Sequence, residues 1–298
     1  MKLRIAENFR AIFYAPFYAI RALGLAAREG LEVEWLPSDA PGGAIGEVKR
    51  GAIDAQWGGP MRVLKDHDST PDDGARLVCF GEVVWRDPFY LVGRNRARLM
   101  QLQDLATMRL GVVSEVPTPW YCLRADLEDA GVDTAALRLT RDLGMAQQLE
   151  ALAAGKLDAV QLFEPYASRA VAQGYAILYA AASRGPTSYT TFITSRDTAA
   201  KRRDELAALT RATQGALDWL AAEGPAELAR LTAPFYAEVP PELLRSALER
   251  YHRAGIWSRT TALSAAGFER LAHSLHAGGF IARRATYKEC VHDFGSTG

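Results

Sequence analysis

Short apolar runs alternate with segments of helical apolar spacing through the first two thirds of this 298-residue chain. The pattern predicts strands at residues 3–6, 31–36 and 53–57, with helices at 16–28 and 44–49 between them. Gly30 and Gly51 follow the two helices, in the position where glycine commonly ends a helix. This order of elements is a βαβαβ unit.

A second unit of the same kind follows the polar run at residues 66–74. Segments 76–85 and 89–92 are predicted strands, and Pro88 between them suits a crossing from one lobe to another. Further strands are predicted at 109–113, 137–140, 158–162 and 176–179, helices at 119–130, 145–154 and 165–173, a returning crossover at 188–194, and a last group of helices at 203–222, 226–233, 240–253 and 265–276.

These elements predict an α/β fold with two lobes, two crossover hinge strands and a helical carboxy-terminal segment on the first lobe. Lobe 1 would comprise residues 1–87 and 194–298, lobe 2 residues 88–193, and the ligand cleft would lie between them. The last helices are expected to be scaffold rather than site. A chain of 298 residues has the length at which single cores stop growing and chains divide into domains.

A short pattern occurs once in each predicted lobe. Residues 51–60 read G-A-I-D-A-Q-W-G-G-P, and residues 155–165 read G-K-L-D-A-V-Q-L-F-E-P. Each copy predicts a helix–strand–helix junction, which would present a strand's carboxyl end and a helix's amino end to the space between the lobes. Open α/β sheets bind ligands at such places, so the repeat predicts a clamp. The alternative is that the pattern is simply a common way for an α/β chain to re-enter its sheet.

Composition excludes several classes of partner. The chain has 35 basic and 35 acidic residues, so no strong field favours nucleic acid. No apolar run approaches the roughly 18 residues that a membrane span needs. Three separated cysteines and five histidines outside the predicted cleft give no metal site, and we expect no cofactor.

The first residues have consequences for localisation. Met1 is followed directly by a predicted strand, without the apolar core and cleavage site of a signal peptide. The chain as given would therefore be cytoplasmic, whereas a chain from which a leader was trimmed would be periplasmic.

Polar and glycine-rich segments at the predicted cleft are candidates for ligand contacts. Ser114, Thr118 and Trp120 lie where a strand leads into a helix, and helix amino ends hold anionic or carbonyl groups. Thr118 could equally be a cap and nothing more. Four glycines in two loops would let the backbone approach a ligand closely: Gly42, Gly43, Gly58 and Gly59.

Aromatic residues are frequent near these loops, and a flat ligand could stack between them. Core packing is the alternative for each one singly. Glu164, within the second copy of the repeat, could accept hydrogen bonds from an amino group, or could instead stabilise the helix that begins beside it. The aromatic candidates are Phe9, Phe13, Tyr14, Trp57, Trp120 and Tyr189, with Phe163 beside them. No catalytic motif or paired carboxylate is visible, so no catalytic residue is predicted.

Segments 54–60, 86–93, 105–114 and 163–165 together resemble the NMT1/THI5-like branch of the type II periplasmic binding proteins, in order and in spacing. The resemblance covers nearly the whole chain. It implies a solute-binding protein of an ABC importer, which closes two lobes on a small ligand and presents it to a membrane permease. The branch binds nitrate, sulfonates, taurine and thiamine precursors, so the expected ligand is aromatic, aminopyrimidine-like or a small oxyanion. The crossovers near Asp87 and Ser188 would act as hinges.

An enzyme is the alternative. One relative in this branch makes the pyrimidine of thiamine and carries a cysteine-rich motif with a pocket lysine and histidine. Residues 185–192 stand roughly where the cysteines would be and contain none, and residues 54–64 contain neither Lys nor His. A cytoplasmic enzyme of pyrimidine or aromatic metabolism on the same fold is therefore the second reading.

Overall fold

Two five-stranded sheets form the frame of the protein. The computed structural model describes residues 1–38, 40–94 and 101–295. The first sheet has the order β2-β1-β3-β10-β4 and the second the order β7-β6-β8-β5-β9. The strands are β1 (Lys2–Ala6), β2 (Glu32–Leu36), β3 (Ala55–Gly58), β4 (Leu77–Val84), β5 (Tyr90–Gly93), β6 (Arg109–Gly111), β7 (Arg138–Thr140), β8 (Ala159–Leu162), β9 (Ala176–Ala180) and β10 (Thr190–Ser195).

The two sheets follow one plan. In the first, β1 pairs in parallel with β2 and β3, while β10 runs antiparallel to β3 and β4. In the second, β6 pairs in parallel with β7 and β8, while β5 runs antiparallel to β8 and β9. The predicted α/β class with two similar units is therefore confirmed.

Helices cover both sheets, with two breaks at glycines. A single helix was expected at residues 16–28, but Gly24 adopts a left-handed φ of 64° and divides it. Gly224, with a φ of 81°, similarly interrupts the longest helix. The helices are α1 (Ala15–Ala22), α2 (Leu25–Arg28), α3 (Ile45–Lys49), α4 (Met61–Ser69), α5 (Thr118–Asp129), α6 (Met145–Ala153), α7 (Tyr166–Ala172), α8 (Arg196–Lys201), α9 (Arg203–Thr232), α10 (Pro241–Ala254), α11 (Ala265–Ala277) and α12 (Tyr287–Cys290).

The repeated sequence pattern forms the same junction twice, as predicted. Its aspartates tie neighbouring parallel strands together: Asp54 Oδ2 accepts the N–H of Arg4 at 2.7 Å, and Asp158 Oδ2 accepts the N–H of Arg109 at 2.8 Å. In return, the N–H of each aspartate donates to the carbonyl of the same arginine at 2.9 Å. The aspartate thus fixes strand register, and the following proline, Pro60 or Pro165, precedes α4 or α7.

The carboxy-terminal helices do more than cover the first sheet. The indole of Trp257 donates to the carbonyl of Phe13 at 3.0 Å, which anchors this segment near the first strand. On the other side, Tyr121 of α5 packs against Phe280, with ring centroids 5.2 Å apart. The segment therefore contacts helices that belong to both sheets.

We predict that Asp158→Asn weakens this register contact in a pH-dependent way. Hydrogen bonds from the side chain and backbone N–H of Arg109 lower the pKa of Asp158 from 3.8 to about 2. Because the folded pKa lies below the unfolded one, the stabilisation is complete above the unfolded value and is lost as the pH falls towards 2. The variant should lose about 1 kcal/mol of unfolding free energy near neutral pH, and less at about pH 3, in urea denaturation.

The matched control is Asp142→Asn, because Asp142 is exposed and carries no hydrogen bond or ion pair in the described part of the chain. An equal loss in both variants, or a loss independent of pH, would show that Asp158 does not act as a charged register contact.

Candidate functional site

Two adjacent pockets lie between the sheets. The inner pocket has a volume of about 40 Å³ and the outer cavity about 600 Å³. Both are lined by Phe9, from the loop after β1, and by Val116, from the loop before α5. Since these residues come from the two different sheets, the pockets form one cleft between the two halves of the fold.

The inner pocket lies at the amino ends of two helices. Gly59, Met61 and Arg62 reach it from the start of α4, and Pro117 and Thr118 from the start of α5. The first turn of a helix leaves backbone N–H groups unpaired and carries partial positive charge. Both halves of the fold therefore direct a positive helix end at the same small space.

Arg62 is the charged residue of the inner pocket. Its side chain is half-buried, and it has no hydrogen bond or ion pair with any residue that the structure describes. Burial lowers the pKa of Arg62, although a guanidinium stays protonated at neutral pH. An unpaired, partly desolvated cation is costly unless an anion is bound, so the pocket favours negative charge.

Tyr189 also lines the inner pocket, and its hydroxyl group is buried. It has no hydrogen-bond partner among the described residues, and the residue is 7% exposed. Burial raises the pKa of Tyr189, which keeps the group protonated and able to donate.

Asn8 organises the pocket wall. Its Oδ1 accepts the N–H of Gly42 at 2.6 Å and the side-chain amide of Gln56 at 3.1 Å, while its Nδ2 donates to the Tyr14 hydroxyl at 2.9 Å. Gly42 has a φ of 75°, and a side chain there would overlap the guanidinium of Arg62. Glycine at this position therefore leaves the room that Arg62 occupies.

Glu164 lines the outer cavity, but its carboxylate is fully paired. Oε1 accepts Arg250 Nε at 2.8 Å and Oε2 accepts the N–H of Ser168 at 2.9 Å. The hydroxyl of Tyr251 accepts the N–H of Glu164 at 2.9 Å. Burial raises the pKa of Glu164, and the hydrogen bonds and the Arg250 charge oppose this shift. The carboxylate connects α10 to the second sheet.

The structure brings together about half of the residues predicted for the site. The inner pocket contains Phe9, Phe13, Tyr14, Gly59, Thr118 and Tyr189, and the outer cavity contains Phe9 and Glu164.

The other predicted residues are outside the pocket linings. Trp57 stacks on Phe17 at 5.0 Å in the core, and Trp120 lies under the guanidinium of Arg141 at 4.5 Å. Ser114 donates to the carbonyl of Leu143 at 3.1 Å. Gly58 is the last residue of β3, and Gly42 and Gly43 lie in the loop before α3; none of the three lines either pocket.

Sequence reasoning missed Arg62 and Asn8. Arg62 had a signal, since it is the second helical residue after the Gly-Gly-Pro that closes the first copy of the repeat. Asn8 lies two residues beyond the first strand, at the carboxyl edge where polar side chains meet ligands.

Cys79, Cys122 and Cys290 are all buried away from both linings. Within the described residues, no helix is long and apolar enough to span a bilayer.

Two sheets that share one plan, with a cleft between them at helix amino ends, define the type II periplasmic-binding-protein fold. A sequence profile of the NMT1-like family matches residues 83–234, more than half of the chain, and the protein belongs to this family. The predicted membership is thereby confirmed.

Relatives agree with this assignment. The chain is 24% identical over 306 residues to the "Putative binding protein YtlA" of Bacillus subtilis (strain 168), covering 98% of this chain and 87% of that one. Among solved structures it is similar to the periplasmic aliphatic sulphonate binding protein SsuA of Escherichia coli, with a TM-score of 0.78, 18% identity and coverage of 97% and 96%. It also resembles the desulfurization enzyme DSZB, with a TM-score of 0.66, 15% identity and coverage of 98% and 97%.

We predict that Arg250→Met destabilises the protein because it leaves the fully buried carboxylate of Glu164 without its cation. Removing one partner of a buried pair costs about 3 kcal/mol. Arg245→Met is the matched control on the same helix, since Arg245 is half exposed and pairs with Glu249 at the surface. That change should cost less than about 1 kcal/mol in guanidinium denaturation. Equal losses in the two variants would contradict the role given to the Arg250–Glu164 pair.

Proposed function

We propose that this protein is a solute-binding protein that delivers a small anionic molecule to an ABC importer. The observation that carries the proposal is the guanidinium of Arg62, which has no described partner, in a small pocket that is also lined by Tyr189, whose buried hydroxyl has no described partner either. A bound oxyanion would accept hydrogen bonds from both groups. Charge-assisted bonds of this kind are about twice as strong as neutral ones.

The helix ends support the same ligand charge. The amino ends of α4 and α5 both face the inner pocket, and each favours an anion by some tenths to about 1 kcal/mol. Among the residues that the structure describes, no carboxylate lines the inner pocket. The family and the likeness to a sulphonate-binding protein agree with an oxyanion such as a sulfonate.

An amine-bearing heterocycle is less well supported. The carboxylate that would receive its amino group, Glu164, already accepts hydrogen bonds from Arg250 and Ser168. A cationic ligand would also meet the charge of Arg62. Of the ligand classes expected from the sequence, the oxyanion fits the charges of the pocket best.

The proposal includes lobe closure about the two crossovers. Residues 1–87 with 194–298 would form one lobe and residues 88–193 the other. The crossovers run side by side, with the N–H of Thr187 donating to the carbonyl of Trp85 at 2.8 Å. The N–H of Tyr189 donates likewise to Val84 at 2.9 Å. A ligand held by Arg62 and Tyr189 would touch the first lobe and the hinge together. The mature protein would act outside the cytoplasm, with an ABC permease as its partner.

Catalysis is the second candidate, because the desulfurization enzyme DSZB shares this fold. Both pocket linings, however, consist of residues without a histidine or cysteine. We therefore propose reversible binding. Recovery of chemically unchanged ligand after prolonged incubation with the protein would support this, and chromatographic detection of a product would contradict it.

We predict that Arg62→Met weakens binding of benzenesulfonate at least tenfold, or about 1.4 kcal/mol, in isothermal titration calorimetry. The physical reason is the loss of the guanidinium that, within the described part of the chain, lines the inner pocket. Arg28→Met is the matched control, because Arg28 is exposed on α2. The control should bind like the parent protein, and both variants should keep the parent's circular dichroism.

The ligand panel for this test also contains nitrate, methanesulfonate and 2-aminopyrimidine. Binding of 2-aminopyrimidine with no response to any of the anions would overturn the proposed ligand charge. Tight anion binding that Arg62→Met leaves intact would overturn the assignment of the inner pocket.

A further inference from the structure

The outer cavity has no role in the function proposed above, which uses the inner pocket. We propose that the outer cavity is a second compartment for the same ligand, and that it takes an uncharged, ring-bearing body whose compact anionic head occupies the inner pocket. The ligand class is therefore an aryl-bearing monoanion. This inference rests on the proposed function and deepens it.

Size separates the two compartments. The inner pocket, at about 40 Å³, has room for one compact head group, whereas the outer cavity has about 600 Å³. Sites for drug-sized ligands span about 300–1,000 Å³. A nitrate ion or a methanesulfonate would leave the outer cavity to water. Phe9 and Val116 line both spaces, so the two compartments are adjacent. The proposal is that one molecule extends from the first into the second.

The surface of the outer cavity suits rings. Phe9 and Phe163 pack against each other with ring centroids 6.2 Å apart, and Tyr166 packs edge to face against Phe163 at 6.2 Å. Phe235 and Val239 close the far side. These rings form one aromatic surface with residues from both halves of the fold, and a planar ligand group could pack against it.

Two acidic residues of the outer-cavity lining already have partners within the protein. They therefore require no positive charge on the ligand body. Glu115 Oε1 accepts the N–H of Met145 at 2.9 Å, and its Oε2 accepts the N–H of Ser114 at 3.2 Å. Glu164 is paired with Arg250, as described above. A charged tail would meet no free carboxylate in the interior of the cavity, while Glu238 lies exposed at its rim.

The two arginines of the lining are likewise engaged. Arg10 lies 3.5 Å from the carboxylate of Glu7, and Arg169 stacks over Tyr166 at 5.5 Å. Their side chains belong to the rim, because both residues are exposed. Arg62 is therefore the cation with no described partner in this cleft, and it fixes which end of the ligand enters first.

The far wall is held in place before any ligand arrives. Tyr236 donates its hydroxyl to the carbonyl of Ala11 at 2.9 Å, and Phe235 stacks on Tyr18 at 4.8 Å. The N–H of Val239 donates to the carbonyl of Tyr236 at 2.9 Å. Residues 233–239 thus form a fixed wall that limits the length of the ligand body, and Val239 is a specificity-determining residue.

The test varies head and body independently. Affinities of the intact protein are measured by calorimetry for methanesulfonate, benzenesulfonate and 2-naphthalenesulfonate, which share one head, and for 2-naphthalenemethanol, which has the ring without the charge. We expect 2-naphthalenesulfonate to bind at least about tenfold more tightly than methanesulfonate, because the ring buries apolar surface. The uncharged alcohol should bind at least about tenfold more weakly than 2-naphthalenesulfonate.

Two variants locate the ring. Val239→Trp, which fills the outer cavity, should reduce the ratio of naphthalenesulfonate to methanesulfonate affinity at least fivefold, whereas Ala222→Trp on the exposed face of α9 should leave this ratio as in the parent. Equal affinities for all three sulfonates in the parent protein would overturn this inference while the proposed anion site stands. Failure of every anion to bind would overturn both. An unchanged ratio in Val239→Trp, with melting temperature preserved, would place the ring elsewhere and contradict the inference.

Discussion

The buried guanidinium of Arg184 holds the base of the cleft in place. It contacts Asp87 of the first crossover at 2.8 Å and Asp126 of α5 at 2.5 Å, and it lies just before the second crossover. Burial alone would lower the pKa of Arg184, but the charge of Asp87 and the hydrogen bond of Asp126 raise it. Phe89 and Tyr189 lie within a few residues of this cluster. The ionic contact therefore fixes both crossovers and, through them, the floor of the inner pocket.

Hydrogen bonding distinguishes the polar groups that build the cleft from those that the proposal assigns to the ligand. Asn8, Glu115 and Glu164 each have their hydrogen-bonding capacity used by backbone or side-chain partners within the fold. Arg62 and Tyr189 do not. Unpaired buried polar groups cost free energy, and hydrogen bonds to a bound ligand would offset that cost. The electrostatic character of the site therefore comes from two residues, while a much larger aromatic surface supplies its shape.

Periodicity predicted the strands closely, because apolar alternation and glycine helix ends are local signals. It missed the break at Gly24, where helical spacing continues through the left-handed residue. For the site, the repeat located the two helix amino ends, but the direction of single side chains depends on tertiary packing. Trp57 turns into the core against Phe17, and Trp120 turns towards Arg141. Local sequence cannot predict that Glu164 pairs with Arg250 or that the Arg62 side chain has no described partner, since each depends on elements far apart in sequence.

A crystal structure with 6-bromo-2-naphthalenesulfonate would test the central claim most directly, because anomalous scattering locates the bromine independently of the rest of the density. The account predicts sulfonate oxygens within hydrogen-bonding distance of the Arg62 guanidinium and the Tyr189 hydroxyl. The bromine should then lie in the outer cavity beside Phe235. A sulfonate held at the exposed rim, for example by Arg169, with the inner pocket left to water, would contradict the assignment of Arg62 and Tyr189 as the anion site.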